Sequence, residues 1–218
     1  MENRKPTHPA RPTRLCVVRH GETDWNAGKR IQGHIDVPLS AVGHAQARAV
    51  GNALANEGFA AIYSSDLTRA RQTAEATAQL ANIPLQVLPG LRERHYGSFE
   101  GLTYTEIVAR YPEDYGRHKA REPRFAPPGG ESLAALAARL GLTFDTIAHR
   151  HAGEAVAIFT HGGVLDILYR RATGQPLHTP RDFTIPNTGI NWIEVVDGAW
   201  TVLSWAERDH LTGVLDEL

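Results

Sequence analysis

The sequence predicts an α/β fold, a three-layer sandwich whose mostly parallel central sheet carries helices on both faces. Three observations carry that expectation. Short apolar runs at 15–18, 60–64, 85–88 and 155–159 read as buried strands. Segments with apolar residues at three- and four-residue spacing separate these runs, as parallel crossovers require. Finally, Asp197-Gly198 divides 190–196 from 201–205, a two-residue hairpin signal that adds an antiparallel pair late in the chain.

Taken in order, residues 1–13 hold Pro6, Pro9 and Pro12 among basic residues with no apolar face, and read as a flexible lead. Residues 14–218 are then one domain. Leu15-Cys16-Val17-Val18 is the first strand, and Gly21 marks the turn at its carboxyl end. Residues 40–57 read as a helix with Ser40 as N-cap and Val42, Ala45, Ala49, Val50 and Ala53 along one stripe, ended by Gly58. A strand at 60–64, a helix at 67–81 and a strand at 85–88 follow. Residues 104–111 form a short helix stopped by Pro112, and 117–128 is a polar, proline-rich loop over the site. The helix at 131–149 places Leu133, Leu136, Leu140, Phe144 and Ile147 on its core face. The strand at 155–159 leads into a helix at 164–173 closed by Gly174.

Composition narrows the class. A chain of 218 residues that is 42% hydrophobic can bury a core without a staple, and its single cysteine, Cys16, sits inside the first strand. A formal net charge of -1 provides no basic field for nucleic acid or an anionic membrane. No run is apolar enough to span a bilayer and the start has no signal-peptide core, so the expectation is a soluble cytoplasmic protein. The 11 histidines are scattered rather than spaced as ligands, and no metal site is expected.

Three constellations follow predicted strands, where ligands bind in open α/β sheets. Arg19-His20 joins a planar fork of donors for phosphate oxygens to an imidazole that can act as a nucleophile. Arg69 opens the helix after the second strand, where free backbone N–H groups already favour anions. Thr160-His161-Gly162-Gly163 brings a second histidine, with glycines that let the backbone pass close to a ligand. Each has a structural alternative: a strand-end histidine held by a carbonyl, an Arg69 paired with Asp66 or Glu75, a core His161. Two histidines and two arginines converging at strand ends favour the functional reading.

These motifs resemble the histidine phosphatase superfamily, the phosphoglycerate mutase-like proteins. The resemblance runs through Arg19-His20-Gly21-Glu22-Thr23 with Trp25-Asn26, then Gln32-Gly33 and Pro38-Leu39-Ser40 with Gly43. It continues through Ser64-Ser65-Asp66-Leu67-Thr68-Arg69, then Leu91-Arg92-Glu93 with Gly97 and Glu100-Gly101, and ends at Thr160-His161-Gly162-Gly163. It implies a metal-independent phosphomonoester hydrolase of the histidine acid phosphatase type. His20 would be the covalent nucleophile, Glu93 the general acid, and Arg19, Arg69 and His161 the phosphoryl clamp. Thr23, Asn26, Gln32, Gly33, Arg94, Tyr96 and Gly162 would contact the substrate, a small phosphorylated metabolite. Specificity is expected in the loops 94–128 and 185–191.

Two other functions are weighed. A phosphoglycerate mutase would need 2,3-bisphosphoglycerate as primer; otherwise no cofactor is implied. Glu93-Arg94-His95-Tyr96-Gly97 resembles the mutase form. In contrast, Pro127-Pro128-Gly129-Gly130-Glu131-Ser132 and His161-Gly162-Gly163 resemble the phosphatase branches. Arg117, Arg121 and Arg124 are separated where the mutases carry a paired arginine, which favours the phosphatase. A silent phospho-ligand binder would require loss of a catalytic residue, and none is missing. The oligomeric state stays open, with a dimer as the candidate.

Overall fold

The alternation of side chains along β1 (Thr13–Arg19) sets the layering of the computed structural model, which describes residues 11–212. Leu15 and Val17 enter one apolar cluster while Cys16 and Val18 enter another, and all four are fully buried. Such a strand has no wet face and must be covered on both sides. Of the expected lead, residues 1–10 lie outside the described residues, and Thr13 already pairs in β1.

The sheet has six strands in the order β3-β2-β4-β1-β5-β6, completed by β2 (Ala61–Ser64), β3 (Leu85–Val87), β4 (Ala155–Thr160), β5 (Ile190–Val196) and β6 (Ala199–Glu207). The pairs among β3, β2, β4 and β1 are parallel, whereas β5 runs antiparallel to β1 and to β6. Asp197 and Gly198 both hold positive φ in the β5–β6 turn, as a tight hairpin of this hand requires.

The helices are α1 (Asp24–Ala27), α2 (Ala41–Leu54), α3 (Thr68–Ala81), α4 (Tyr104–Arg110), α5 (Pro112–Lys119), α6 (Leu133–Arg150) and α7 (Gly162–Thr173). α2 and α3 supply Val50, Leu54, Ala74 and Ala78 to the cluster under Cys16 and Val18. α6 and α7 cover the opposite face with Leu136, Leu140, Phe144, Val164 and Leu168. Each such fully buried side chain contributes about 1.5–3 kcal/mol relative to an exposed one. Ser40 and Ser132 cap α2 and α6 through hydrogen bonds from Gly43 N–H and Ala135 N–H to their hydroxyls.

Pro112 does not stop helical structure as expected; it ends α4 and occupies the first turn of α5, where its missing N–H costs nothing. The expected loop 117–128 is therefore helical to Lys119. α7 also begins earlier than expected, at Gly162, with His161 as its N-cap residue. Ile31, Phe99 and Ile107 form a third, smaller cluster.

Candidate active site

Strand register brings the two histidines together. Arg19 pairs with Thr160 across β1 and β4, and the ladder continues with His20 N–H donating to the Thr160 carbonyl at 2.8 Å. The following residues, His20 and His161, leave the sheet side by side with ring centroids 5.3 Å apart. Both rings are buried, at 3% and 0% exposure.

His20 Nδ1 lies 2.7 Å from the Gly21 carbonyl oxygen. A carbonyl only accepts, so the neutral ring carries its proton on Nδ1 and leaves the Nε2 lone pair free. Burial pushes the imidazole well below the usual histidine range, and the Arg69 and Arg19 charges push it further, against the Gly21 hydrogen bond. Protonation would add a third positive charge beside the Arg19 and Arg69 guanidiniums. The nucleophilic form therefore persists as pH falls through 6.5. An assigned ¹⁵N titration is expected to show His20 neutral throughout that range, taking its proton well below it; a midpoint at or above 6.5 would contradict this electrostatic account.

His161 is lowered in the same direction by burial, Arg69 and His20. Neither of its ring nitrogens finds a partner among the described residues, and the same holds for the buried Nε atoms of Arg19 and Arg69. Unpaired buried polar atoms are costly and rare, so four converging on one place mark a site built for a ligand.

Arg19 and Arg69 are aimed by backbone. Arg19 Nη1 donates to the Ile185 carbonyl at 2.7 Å. Arg69, fully buried in the first turn of α3, donates to the carbonyls of Gly33 (2.7 Å) and Ile35 (3.0 Å) rather than pairing with Asp66 or Glu75. Those carboxylates go to Arg92 and Arg71. Burial lowers Arg69 to about 10, which still leaves it cationic at neutral pH. Gly33 holds φ +53°, and a Cβ there would lie 2.0 Å from Glu100 Oε1, so the turn that presents its carbonyl to Arg69 requires glycine.

Glu93 reaches the same cleft from the segment after β3. Its Oε1 accepts from Arg94 N–H at 2.7 Å and its Oε2 from Gly163 N–H at 3.0 Å, in the first turn of α7. A Cβ on Gly163 would sit 2.2 Å from Glu93 Oε1, so only glycine admits the carboxylate here. Arg139 of α6 fixes the segment by donating to the carbonyls of Gly90, Arg92 and Glu93 while pairing with Glu131. His34 Nε2 donates to the Glu93 carbonyl at 2.8 Å. Sequence reading missed both supports, since nothing local marks a contact from 139 to 93.

Arg19, His20, Arg69 and Glu93 line one cleft of about 310 Å³. Asn26, Gln32, Gly33, Tyr96 and Gly162 line it too, as expected of substrate contacts. Thr23, Arg94 and His161 do not, His161 lying fully buried beside the His20 ring. Thr23 is fully buried and caps α1, accepting from Asn26 N–H at 3.2 Å. Arg94 is held inside by the carbonyls of Glu131 and Phe125, and borders a neighbouring cleft. Trp25, Lys29, Arg30, Tyr104, Arg181 and Ile185 join the lining unforeseen, though Tyr104 and Ile185 fall in the loops expected to carry specificity. Among the described residues no group of three or more His, Cys, Asp or Glu could hold a metal ion. No helix among them is long and apolar enough to cross a membrane.

Comparison with known proteins places the chain among relatives of one family. The sequence model of the histidine phosphatase superfamily (branch 1) matches residues 15–208. The chain is 41% identical over 208 residues to phosphoglycerate mutase-like protein 4 of Arabidopsis thaliana, covering 92% of this chain and 89% of that one. It is 39% identical over 205 residues to a metal-independent phosphoserine phosphatase of the same plant, covering 93% and 84%. A mycobacterial glucosyl-3-phosphoglycerate phosphatase solved with VO3 superposes with a TM-score of 0.79 at 32% identity, covering 89% of this chain and 99% of that one.

Proposed function

The chain belongs to the histidine phosphatase superfamily, branch 1, and on that premise we propose that it hydrolyses small phosphomonoesters without a metal, through a phosphohistidine on His20. The observation that carries this reading is the paired exit of His20 and His161 from β1 and β4, ringed by Arg19, Arg69 and Glu93. Phosphatases of this type stand among its relatives, one of them named metal-independent.

The chemistry follows from the geometry. Arg19, Arg69 and an N–H of His161 take the non-bridging phosphoryl oxygens, preorganised donors aimed where negative charge develops. His20 Nε2 attacks phosphorus in line, forming the P–N bond as the bond to the ester oxygen breaks. Glu93, on the leaving side, gives that oxygen its proton. Water then attacks the phosphohistidine and Glu93 takes its proton. The P–N bond breaks, and inorganic phosphate leaves with Nε2 restored.

The mutase alternative replaces that water by a second hydroxyl of a bound sugar acid and needs a clamp on its carboxylate. None of Arg117, Arg121 and Arg124 lines the cleft that holds His20. Arg117 pairs with Glu122 and Arg121 with Asp166. The separation of these three arginines from the cleft, with phosphatases named among the relatives, favours the phosphatase reading. With 3-phosphoglycerate and added 2,3-bisphosphoglycerate, phosphate release should exceed formation of 2-phosphoglycerate, and a chelator should leave it unchanged. Isomerisation running far ahead of phosphate release would replace the phosphatase with the mutase; loss of activity to the chelator would end the metal-free mechanism.

A further inference from the structure

Where β1 ends at Arg19, the backbone leaves the sheet and its peptide groups need other partners. The His20 N–H still reaches the Thr160 carbonyl. The next peptide group, between His20 and Gly21, is held at its two ends by two side chains from distant parts of the chain. Its N–H, on Gly21, donates to Thr73 Oγ1 at 3.0 Å. Its carbonyl, on His20, accepts from Asn187 Nδ2 at 2.9 Å.

Each partner is itself fixed. Thr73 is fully buried in α3 and gives its hydroxyl proton to the Arg69 carbonyl at 2.7 Å, so a lone pair faces Gly21. That hydroxyl couples the turn after β1 to the backbone of Arg69. Asn187 belongs to the segment 185–189, whose Ile185 carbonyl takes Arg19 Nη1. Its amide also donates to Oδ1 of the cleft-lining Asn26 at 3.4 Å. Beside it, Thr188 N–H donates to the Arg19 carbonyl at 3.0 Å while Thr188 holds φ +51°. A β-branched residue is strained in that left-handed region, and such strain persists only where the surroundings over-determine it. Here the strained turn presents the Asn187 amide and the Thr188 N–H to the successive carbonyls of His20 and Arg19.

The peptide so held sits between the His20 ring and the carbonyl that orients it. Its plane fixes ψ of His20 and φ of Gly21, and the Gly21 carbonyl that follows accepts from His20 Nδ1. We propose that Thr73 and Asn187 are positioning residues that grip the 20–21 peptide at both ends and thereby aim His20 Nε2 for attack. The proposal rests on the reading of His20 as nucleophile and adds what aims it. Neither residue lines the cleft, so neither touches the substrate.

Three variants test it. T73V keeps the shape of the buried side chain and removes the hydroxyl, T73S returns the hydroxyl, and N187A removes the amide from a half-buried position. In T73V and N187A, kcat on p-nitrophenyl phosphate should fall about tenfold to a hundredfold with KM little changed, the usual effect of a misplaced reacting group. T73S should recover most of that loss. In ¹⁵N spectra of the resting protein, native His20 should show the Nδ1–H tautomer alone, and T73V and N187A should shift it toward a mixture. The spectra need no turnover, so they decide the positioning even if His20 proved not to be the nucleophile. A merely structural role would lower Tm and leave both the His20 spectrum and kcat as in the native protein. That result in N187A would overturn the proposal, as would a shifted spectrum with native kcat, or a T73S protein as slow as T73V.

Discussion

Replacing His20 with alanine is expected to lower turnover by at least about 10⁴-fold, because the covalent route through the P–N bond is lost and only direct attack by water remains. The variant should still fold. The side chain gives up one hydrogen bond, to the Gly21 carbonyl, worth about 1 kcal/mol, while the β1–β4 ladder that places residue 20 is made by backbone. Substrate binding should persist as well, since Arg19 and Arg69 are aimed by the carbonyls of Ile185, Gly33 and Ile35 and not by His20. Steady-state rates with p-nitrophenyl phosphate, alongside direct binding of substrate, check both halves. Turnover near the native rate would remove His20 from the role of nucleophile.

The second large effect belongs to Glu93. E93Q should lose about 10²–10⁴-fold in turnover on an alkyl phosphate, the usual contribution of general acid catalysis. The loss should shrink for p-nitrophenyl phosphate, whose leaving group scarcely needs a proton. The comparison is necessary because Glu93 is also structural: its two oxygens accept from Arg94 N–H and Gly163 N–H. A glutamine has one acceptor oxygen and must turn its amide N–H₂ toward one of those donors, at a cost of about 1–3 kcal/mol. That cost falls on both substrates alike, so only the leaving-group dependence reports the proton. Equal losses on the two would assign Glu93 to the scaffold alone.

Local signals account for what could be read from the chain. The run 15–18 is apolar without alternation, and β1 is buried on both faces as such a run requires. Arg19-His20, Arg69 and Glu93 line one cleft because each follows a strand whose carboxyl end opens at the same edge of the sheet. What escaped depends on long-range contact. Pro112 is as acceptable at the start of a helix as after its end, and its sequence neighbourhood does not say which. Arg94 sits beside Glu93 in sequence yet points inward to the carbonyls of Phe125 and Glu131. Arg181 carries no motif, and its place in the cleft lining emerges only in the fold, where Asp166 of α7 pairs with its Nε. Cys16 reads the same at both levels, a buried thiol raised well above its usual range and packed as a small hydrophobe.

The covalent intermediate is the central claim, and rapid quenching tests it most directly. Native protein mixed briefly with a labelled phosphomonoester and quenched in alkali should carry a label that is stable to base and lost in acid, as a phosphoramidate is. Peptide mapping should place that label on His20, and the His20→Ala protein should carry none. A label on any other residue, or turnover with no trapped label under conditions that favour its accumulation, would contradict the account.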